Sequence, residues 1–544
     1  MTMTPNDQSR SRKAELQDLL KRNHTTYGGI LYGLDGFLIE IQARATRVLS
    51  GKCPWRGVTT VSGMARSCVR ESLDRITGAF ASLGISDPQV EIIVNLAPPD
   101  LPKDGTWLDL PLAIILLQAS GFLPDYPDHL EGELILAGEL GLHGEIRRVP
   151  GMLSIALEAR PGQSILLPAG NEREAALILA KPGHEGCNVY AFSLLSEVIE
   201  YFRGNRSLSD YQVKGKLKFE LAHTKAPDFG LIRGQERAKE AALIAAAGGH
   251  NLLMCGPPGE GKSLLASAIP GILPKLSEEE MVQLTRIYSA AGELERDGMV
   301  VRRRPFRSTH HTTSKQALVG GGSGLPKPGE VTLAHLGVLF LDEMAEFSKS
   351  TLDALRQPIE SGEVTINRVA GSLTFPCRFT LVAAMNPCPC GYHPSDRCQC
   401  GDKVVNKYRG KISGPILDRI ELQVDLLALT AEERFAPSQS DETPKLQARV
   451  EAARNVQRAR YANTKIPFNA AIPGGRVMEY VQFSPTGLSH FKNVLSKLNL
   501  STRSMDRLAK VARTVADLEG AYVTDTKHID RAVDFVTGGV LRGN

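Results

Sequence analysis

A chain of 544 residues with 64 basic and 60 acidic side chains carries a net charge of only +4. No global positive field marks it as a nucleic-acid binder, and any such interface has to come from local clusters. The length exceeds one ordinary core, and 42% hydrophobic with 23% charged residues is the balance of three or four soluble globular units. Nine cysteines, five of them between Cys377 and Cys400, argue against a disulfide scaffold and for a reduced, cytoplasmic setting with one metal cluster.

Residues 1–28 are rich in Ser, Arg, Lys and Asn and read as a mobile tail with a short helix at 13–21. The first 24 residues have no apolar run of signal-peptide type. The most apolar long stretch, Leu108 to Leu123, contains Asp109 and Gln118 and is too short to span a bilayer, so no membrane partner is expected. Residues 29–205 read as a mixed α/β domain. Strand-like alternation appears at 38–42, 89–96 and 164–168, and helical periodicity at 67–83, 110–119 and 172–179.

Within this domain, Asn-Leu-Ala-Pro-Pro-Asp-Leu-Pro-Lys-Asp-Gly at 95–105 and Leu-Asp-Leu-Pro-Leu-Ala at 108–113 resemble the N-terminal domain of ComM/YifB-type proteins. These are magnesium-chelatase-like AAA+ ATPases, and that domain is similar to the Lon protease domain. In Lon proteases a nucleophilic Ser follows the Pro-Lys-Asp-Gly stretch and a Lys activates it. Here the matching places fall on Trp107 and about Leu153. A hydroxyl nucleophile needs a base within hydrogen-bond reach, so the resemblance implies a scaffold without peptidase activity.

A polar stretch at 206–227 reads as a linker, and a P-loop core is expected over 228–429. A helix at 234–247 leads to an apolar strand, Leu252 to Cys255, and then to Gly256-Pro257-Pro258-Gly259-Glu260-Gly261-Lys262-Ser263. This is a full P-loop: glycines bring backbone N–H groups against phosphate, Lys262 adds charge for the β- and γ-phosphates, and the Ser263 hydroxyl can ligate Mg²⁺. ATP and Mg²⁺ are the expected cofactors. Two letters depart from the family pattern. Ser263 stands where Thr is commoner, and Glu260 puts a carboxylate near the phosphates, where it could weaken nucleotide affinity.

Next comes Arg-Arg-Arg-Pro-Phe-Arg at 302–307, followed by His310-His311. The arginines could face phosphate or be ordinary salt-bridged side chains, and the histidine pair reads as structural. Gly337-Val-Leu-Phe-Leu-Asp342-Glu343 reads as a buried parallel strand ending in two acids. Asp342 would hold Mg²⁺ through water and Glu343 would polarise the attacking water. After a helix at 351–360, the segments 363–368 and 372–375 alternate like a β-hairpin. The family resemblance places such a hairpin at a ring's central channel, where Arg368 beside its turn would hold a DNA phosphate; the other reading is an ion pair with a surface acid such as Glu363. A further core strand ends at Asn386, the place of the sensor-1 residue. Cys388, Cys390, Cys398 and Cys400 then crowd into one short stretch. They could wrap one Zn²⁺, although their C-x-C spacing is tighter than usual and leaves free or redox-sensing thiols as the other reading. By resemblance, Arg419 is an arginine finger reaching a neighbouring subunit's γ-phosphate.

A second linker is expected at 430–445 and an all-helical lid over 446–544, with helices at 446–461, 486–498, 501–518 and 525–537. Arg503 falls at the sensor-2 place. The expected fold is a Lon-like α/β domain, an AAA+ core with a parallel sheet, and a helical lid. The resemblance implies a homo-oligomeric ring, a hexamer, that hydrolyses ATP to move DNA, as in branch migration during natural transformation. The alternatives are a magnesium-chelatase-like metal-insertion or protein-remodelling ATPase and a non-enzymatic scaffold.

Overall fold

The computed structural model describes residues 14–63, 67–103, 105–125, 133–213, 226–294, 300–322, 326–368, 371–435, 437 and 441–538. The chain divides into two compact units, residues 1–222 with 285–301, and residues 223–284 with 302–544.

In the first unit, strands β1 (His24–Tyr32), β2 (Asp35–Val48), β3 (Thr59–Ser62), β4 (Val90–Ala97), β5 (Leu134–Leu136), β6 (Ser164–Pro168) and β7 (Asn188–Phe192) form one sheet in the order β3-β4-β2-β1-β5-β6-β7. β1 and β2 pair as a hairpin from Tyr32 against Asp35 to His24 against Ala43. β1 therefore begins inside the stretch expected to be tail, because residues 24–28 have ladder partners on β2. Along β2 the alternate residues Ile39, Ile41, Ala43 and Ala45 are buried, the period-two pattern of a strand with one face on a core. Helix α1 (Ser67–Ser82) precedes β4, and helix α2 (Asp109–Ala119) is buried on every side, as its uniformly apolar sequence requires. Its single acid, Asp109, takes two bonds from Arg75, at 2.6 and 2.9 Å, and a third from the Leu140 N–H at 3.1 Å. No helix among the described residues is long and apolar enough to cross a membrane.

The Trp107 indole N–H donates to the Pro150 carbonyl at 2.7 Å, and Leu153 is fully buried. An indole and an isobutyl group supply neither a nucleophile for a carbonyl nor a base to activate one.

The second unit is built on five parallel strands: β8 (Leu252–Cys255), β9 (Phe306–Thr309), β10 (Val338–Leu341), β13 (Thr380–Met385) and β14 (Leu422–Asp425), in the order β9-β10-β13-β8-β14. Strands β11 (Glu363–Arg368) and β12 (Gly371–Pro376) form a separate antiparallel hairpin between β10 and β13 in the chain. β8, β10 and β13 are buried along their whole length, which explains their unbroken runs of Leu, Val, Ala, Met and Phe. Helices α3 (Glu236–Gly248) and α4 (Lys262–Ile272) flank the P-loop strand in sequence. Helix α5 (Asp402–Arg409) follows the cysteine segment. The C-terminal part contains α6 (Glu442–Arg460), α7 (Pro485–Lys497), α8 (Thr502–Leu518) and α9 (Thr526–Val536). Ser484, Ser501 and Asp525 cap α7, α8 and α9 through their side chains, which fixes those three starts. Val450, Leu508 and Phe535 belong to the same hydrophobic cluster as Leu252 and Leu265, so these helices share a core with the sheet rather than forming one of their own. The stretch expected as a linker at 430–445 contains a short helix, Ala431–Phe435, and the first turn of α6.

Candidate nucleotide site

The parallel sheet brings the C-terminal ends of β8, β10 and β13 side by side, with Cys255 beside Met385 and Leu341 beside Ala383. Three chain segments far apart in sequence therefore deliver their next residues to one edge. From β8 comes the P-loop. Gly259 (φ 82°) and Gly261 (φ 86°) adopt left-handed backbone conformations, and Lys262 opens α4 directly after Gly261.

Lys262 is nearly buried at 8% exposure. Its ammonium donates to the Gly256 carbonyl at 2.5 Å, the Pro257 carbonyl at 2.8 Å and Asn386 Oδ1 at 3.1 Å. Burial pulls its pKa below the usual lysine value. From β10 comes Asp342, whose Oδ2 accepts from Ser263 Oγ at 3.3 Å. Glu343 follows in a left-handed conformation (φ 52°), rare for a non-glycine residue. Its N–H donates to Asp342 Oδ1 at 3.0 Å, and its Oε2 lies 3.0 Å from His311 Nδ1. Lys262, Ser263, Asp342, Glu343 and Asn386 are thus brought together. A hard-cation pair, Ser263 hydroxyl with Asp342 carboxylate, stands next to an ammonium and a half-exposed carboxylate, which fits Mg²⁺ with a polyphosphate.

Glu260 does not crowd the phosphate place. It turns away, accepting from the Leu429 N–H at 3.2 Å and pairing with Arg434 at 3.1 Å. Its carboxylate is thus paired within the same unit rather than left unpartnered. Arg304 and Arg307 are likewise engaged elsewhere. Arg304 donates to the Pro274 and Leu336 carbonyls and pairs with Glu280, and Arg307 makes a two-pronged pair with Glu330 at 2.6 and 2.9 Å. Of the histidine pair, His311 reaches Glu343, a contact that spacing alone does not reveal because the two residues follow neighbouring strands.

Arg419 and Arg503 lie elsewhere. Asn251, just before β8, donates to the Arg419 carbonyl at 2.8 Å, so Arg419 sits at the N-terminal edge of the sheet, opposite the P-loop. Its guanidinium pairs with Glu360 and donates to the Pro415 carbonyl. Arg503, 75% exposed, stands 3.9 Å from Asp418. Both line a cavity of about 840 Å³ at this edge, together with Arg378, Arg454, Arg507 and Lys510. The hairpin is present with Arg368 opposite Gly371; its tip, 369–370, and the Arg368 side chain lie outside the described residues.

Beyond Asn386 the four cysteines converge. Their sulfurs all lie within 4.8 Å of one another. Cys388 and Cys398 are 3.8 Å apart, Cys390 and Cys398 3.7 Å, and Cys388 and Cys390 3.3 Å. Zn–S bonds of about 2.3 Å in a tetrahedron give sulfur separations of about 3.8 Å. The residues fit a tetrahedral soft-ligand site.

Three family profiles match the chain. "Magnesium chelatase, subunit ChlI" matches residues 228–434, "Subunit ChlI of Mg-chelatase" residues 54–171, and "Magnesium chelatase, subunit ChlI C-terminal" residues 440–535. The chain is 40% identical to protein YifB of Escherichia coli, covering 88% of this chain and 91% of that one. It is 36% identical to competence protein ComM of Haemophilus influenzae, with the same two coverages, 88% and 91%. The magnesium-chelatase 38 kDa subunit of Cereibacter sphaeroides is 28% identical over 29% of this chain and 52% of its own.

Proposed function

The chain belongs to the ComM/YifB-type magnesium-chelatase-like family, and from that membership we propose that this AAA+-type ATPase works as a homo-oligomeric ring, a hexamer, coupling Mg²⁺-dependent ATP hydrolysis to DNA remodelling such as branch migration. The Lon-like character of the first domain and the lid role of α6–α9 belong to the same reading. The observation that carries the ATPase half is the convergence of Lys262 on Asn386 and of Ser263 on Asp342 at one edge of a parallel sheet.

In this reading Lys262 exchanges its loop carbonyls for β- and γ-phosphate oxygens. Ser263 and Asp342 would hold Mg²⁺, which would offset the charge on the phosphate oxygens. Glu343 takes the role of polarising the attacking water, released from His311 to do so, and Asn386 orients the γ-phosphate or that water. Arg419 and Arg503 lie a sheet's depth away from Lys262, so the nucleotide they serve is the one bound by a neighbouring subunit. Zn²⁺ on Cys388, Cys390, Cys398 and Cys400 completes the cofactor set, supported by the sulfur separations.

The DNA half is supported by the family's competence protein and by the hairpin carrying Arg368. The test is ATP turnover with single-stranded, duplex and branched DNA. Stimulation by DNA, greatest with branched substrates, is expected. Turnover indifferent to all three would move the reading to a metal-insertion or protein-remodelling motor.

A further inference from the structure

We propose that the metal in the four-cysteine loop sets nucleotide affinity by holding one wall of the P-loop in place. The inference rests on the zinc reading above and adds to it a mechanical link between the two sites.

The link runs through Gly391, which lies between the first and second pairs of thiols. It has a left-handed backbone (φ 87°), and a Cβ built on it would stand 2.8 Å from Pro258 Cδ. The bare backbone of the cysteine loop therefore rests on the P-loop proline. On one side of this contact Cys388, fully buried, closely follows Asn386, and Asn386 accepts from Lys262. On the other side Cys400 leads into α5, whose Arg409 donates to the Pro387 carbonyl at 3.1 Å. The His393 N–H donates to Cys388 Sγ at 3.4 Å, the kind of backbone support that orients a metal ligand.

Apart from its turns, the segment 388–400 has no helix or strand of its own. With few backbone bonds to order it, the binding free energy of a metal on its four thiolates becomes folding free energy of the loop. Removing the metal returns conformational freedom to this whole segment and withdraws Gly391 from Pro258. The P-loop carbonyls of Gly256 and Pro257 that position Lys262 then lose their backing.

Three preparations of the full chain test this: the protein as purified, the protein stripped with a thiol-competing zinc chelator at constant Mg²⁺, and Gly391→Ala. Zinc is measured by elemental analysis and nucleotide affinity by a fluorescent ATP analogue. The purified protein is expected to hold about one zinc per chain. Stripping should weaken nucleotide binding by roughly tenfold or more, reversed by adding zinc. Gly391→Ala should keep its zinc yet lose affinity similarly, because the new Cβ pushes on Pro258. Cys53→Ser, in the first unit, should change neither. Purified protein without zinc would overturn the zinc reading itself. Zinc-bearing protein whose stripped form, or whose zinc-retaining Gly391→Ala form, binds nucleotide unchanged would overturn the mechanical link and leave the zinc reading standing.

Discussion

At the scale of single residues, the site separates binding from hydrolysis. Among the described residues, Lys262 is the ammonium bonded to the P-loop carbonyls, whereas Glu343 faces His311. Glu343→Gln should keep ATP affinity and lower turnover by about 10²- to 10⁴-fold, since an amide cannot take the water's proton. Lys262→Ala should lose affinity itself, by on the order of tenfold or more. Separate measurements of binding and turnover check both, and normal hydrolysis in Glu343→Gln would remove it from the chemistry. Two other side chains carry a pH signature. His250 bonds Thr514 and His335 accepts from the Arg378 N–H, and burial pushes both pKa values down to about 3, from 6.5 in the open chain. Below pH 6.5 the unfolded chain binds protons that the fold refuses. Stability is therefore intact above that pH and falls as pH drops toward 3, by up to about 1.4 kcal/mol per pH unit for each histidine. Urea unfolding between pH 7.5 and 5 should show this slope, and His335→Asn should flatten it whatever it does to absolute stability.

At the scale of elements, the hairpin β11–β12 has one apolar face, Val364, Ile366, Leu373 and Phe375, all buried. The other face is polar, with Thr365 and Thr374 bonded across the strands at 3.0 Å. This alternation fixes the register, and the register puts Arg368 opposite Gly371 while Glu363 pairs with Pro376 at the far end. Along β11 the Arg368 and Glu363 backbones stand about 17 Å apart. Arg368→Ala should leave basal ATP turnover intact, because the hairpin lies outside the five-stranded sheet. It should also lower DNA affinity and flatten its salt dependence, one phosphate contact having been lost. Unchanged DNA binding in a protein that still assembles would take Arg368 out of translocation.

At the scale of the whole molecule, the sheet of the second unit has two opposite edges. One holds the P-loop, the other Arg419 and Arg503, and the strands of the sheet run between them. A ring in which the first edge of each copy meets the second edge of the next would complete every site from two chains. Arg419→Ala and Lys262→Ala subunits should then each be inactive alone and recover part of the turnover when mixed, because some junctions join an intact P-loop to an intact arginine. Mixed rings verified by mass that show no recovery would place the finger elsewhere.

The sequence by itself determined whatever is local. The P-loop, the apolar strands at 252–255 and 338–341, the hairpin alternation and the capped C-terminal helices are patterns of consecutive residues, and each lies close to where its pattern puts it. Strand β1 escapes such a reading because its ladder partner, β2, rather than its own composition, makes it a strand. Only the tertiary structure decided which distant side chains meet: His311 with Glu343, Arg434 with Glu260, Arg304 with Glu280, Gly391 with Pro258. Between the members of the last pair the chain lays down strands β9, β10 and β13 and the whole hairpin. Such contacts depend on the order in which strands join a sheet, and a hydrophobic period of two or 3.6 residues carries no information about that order.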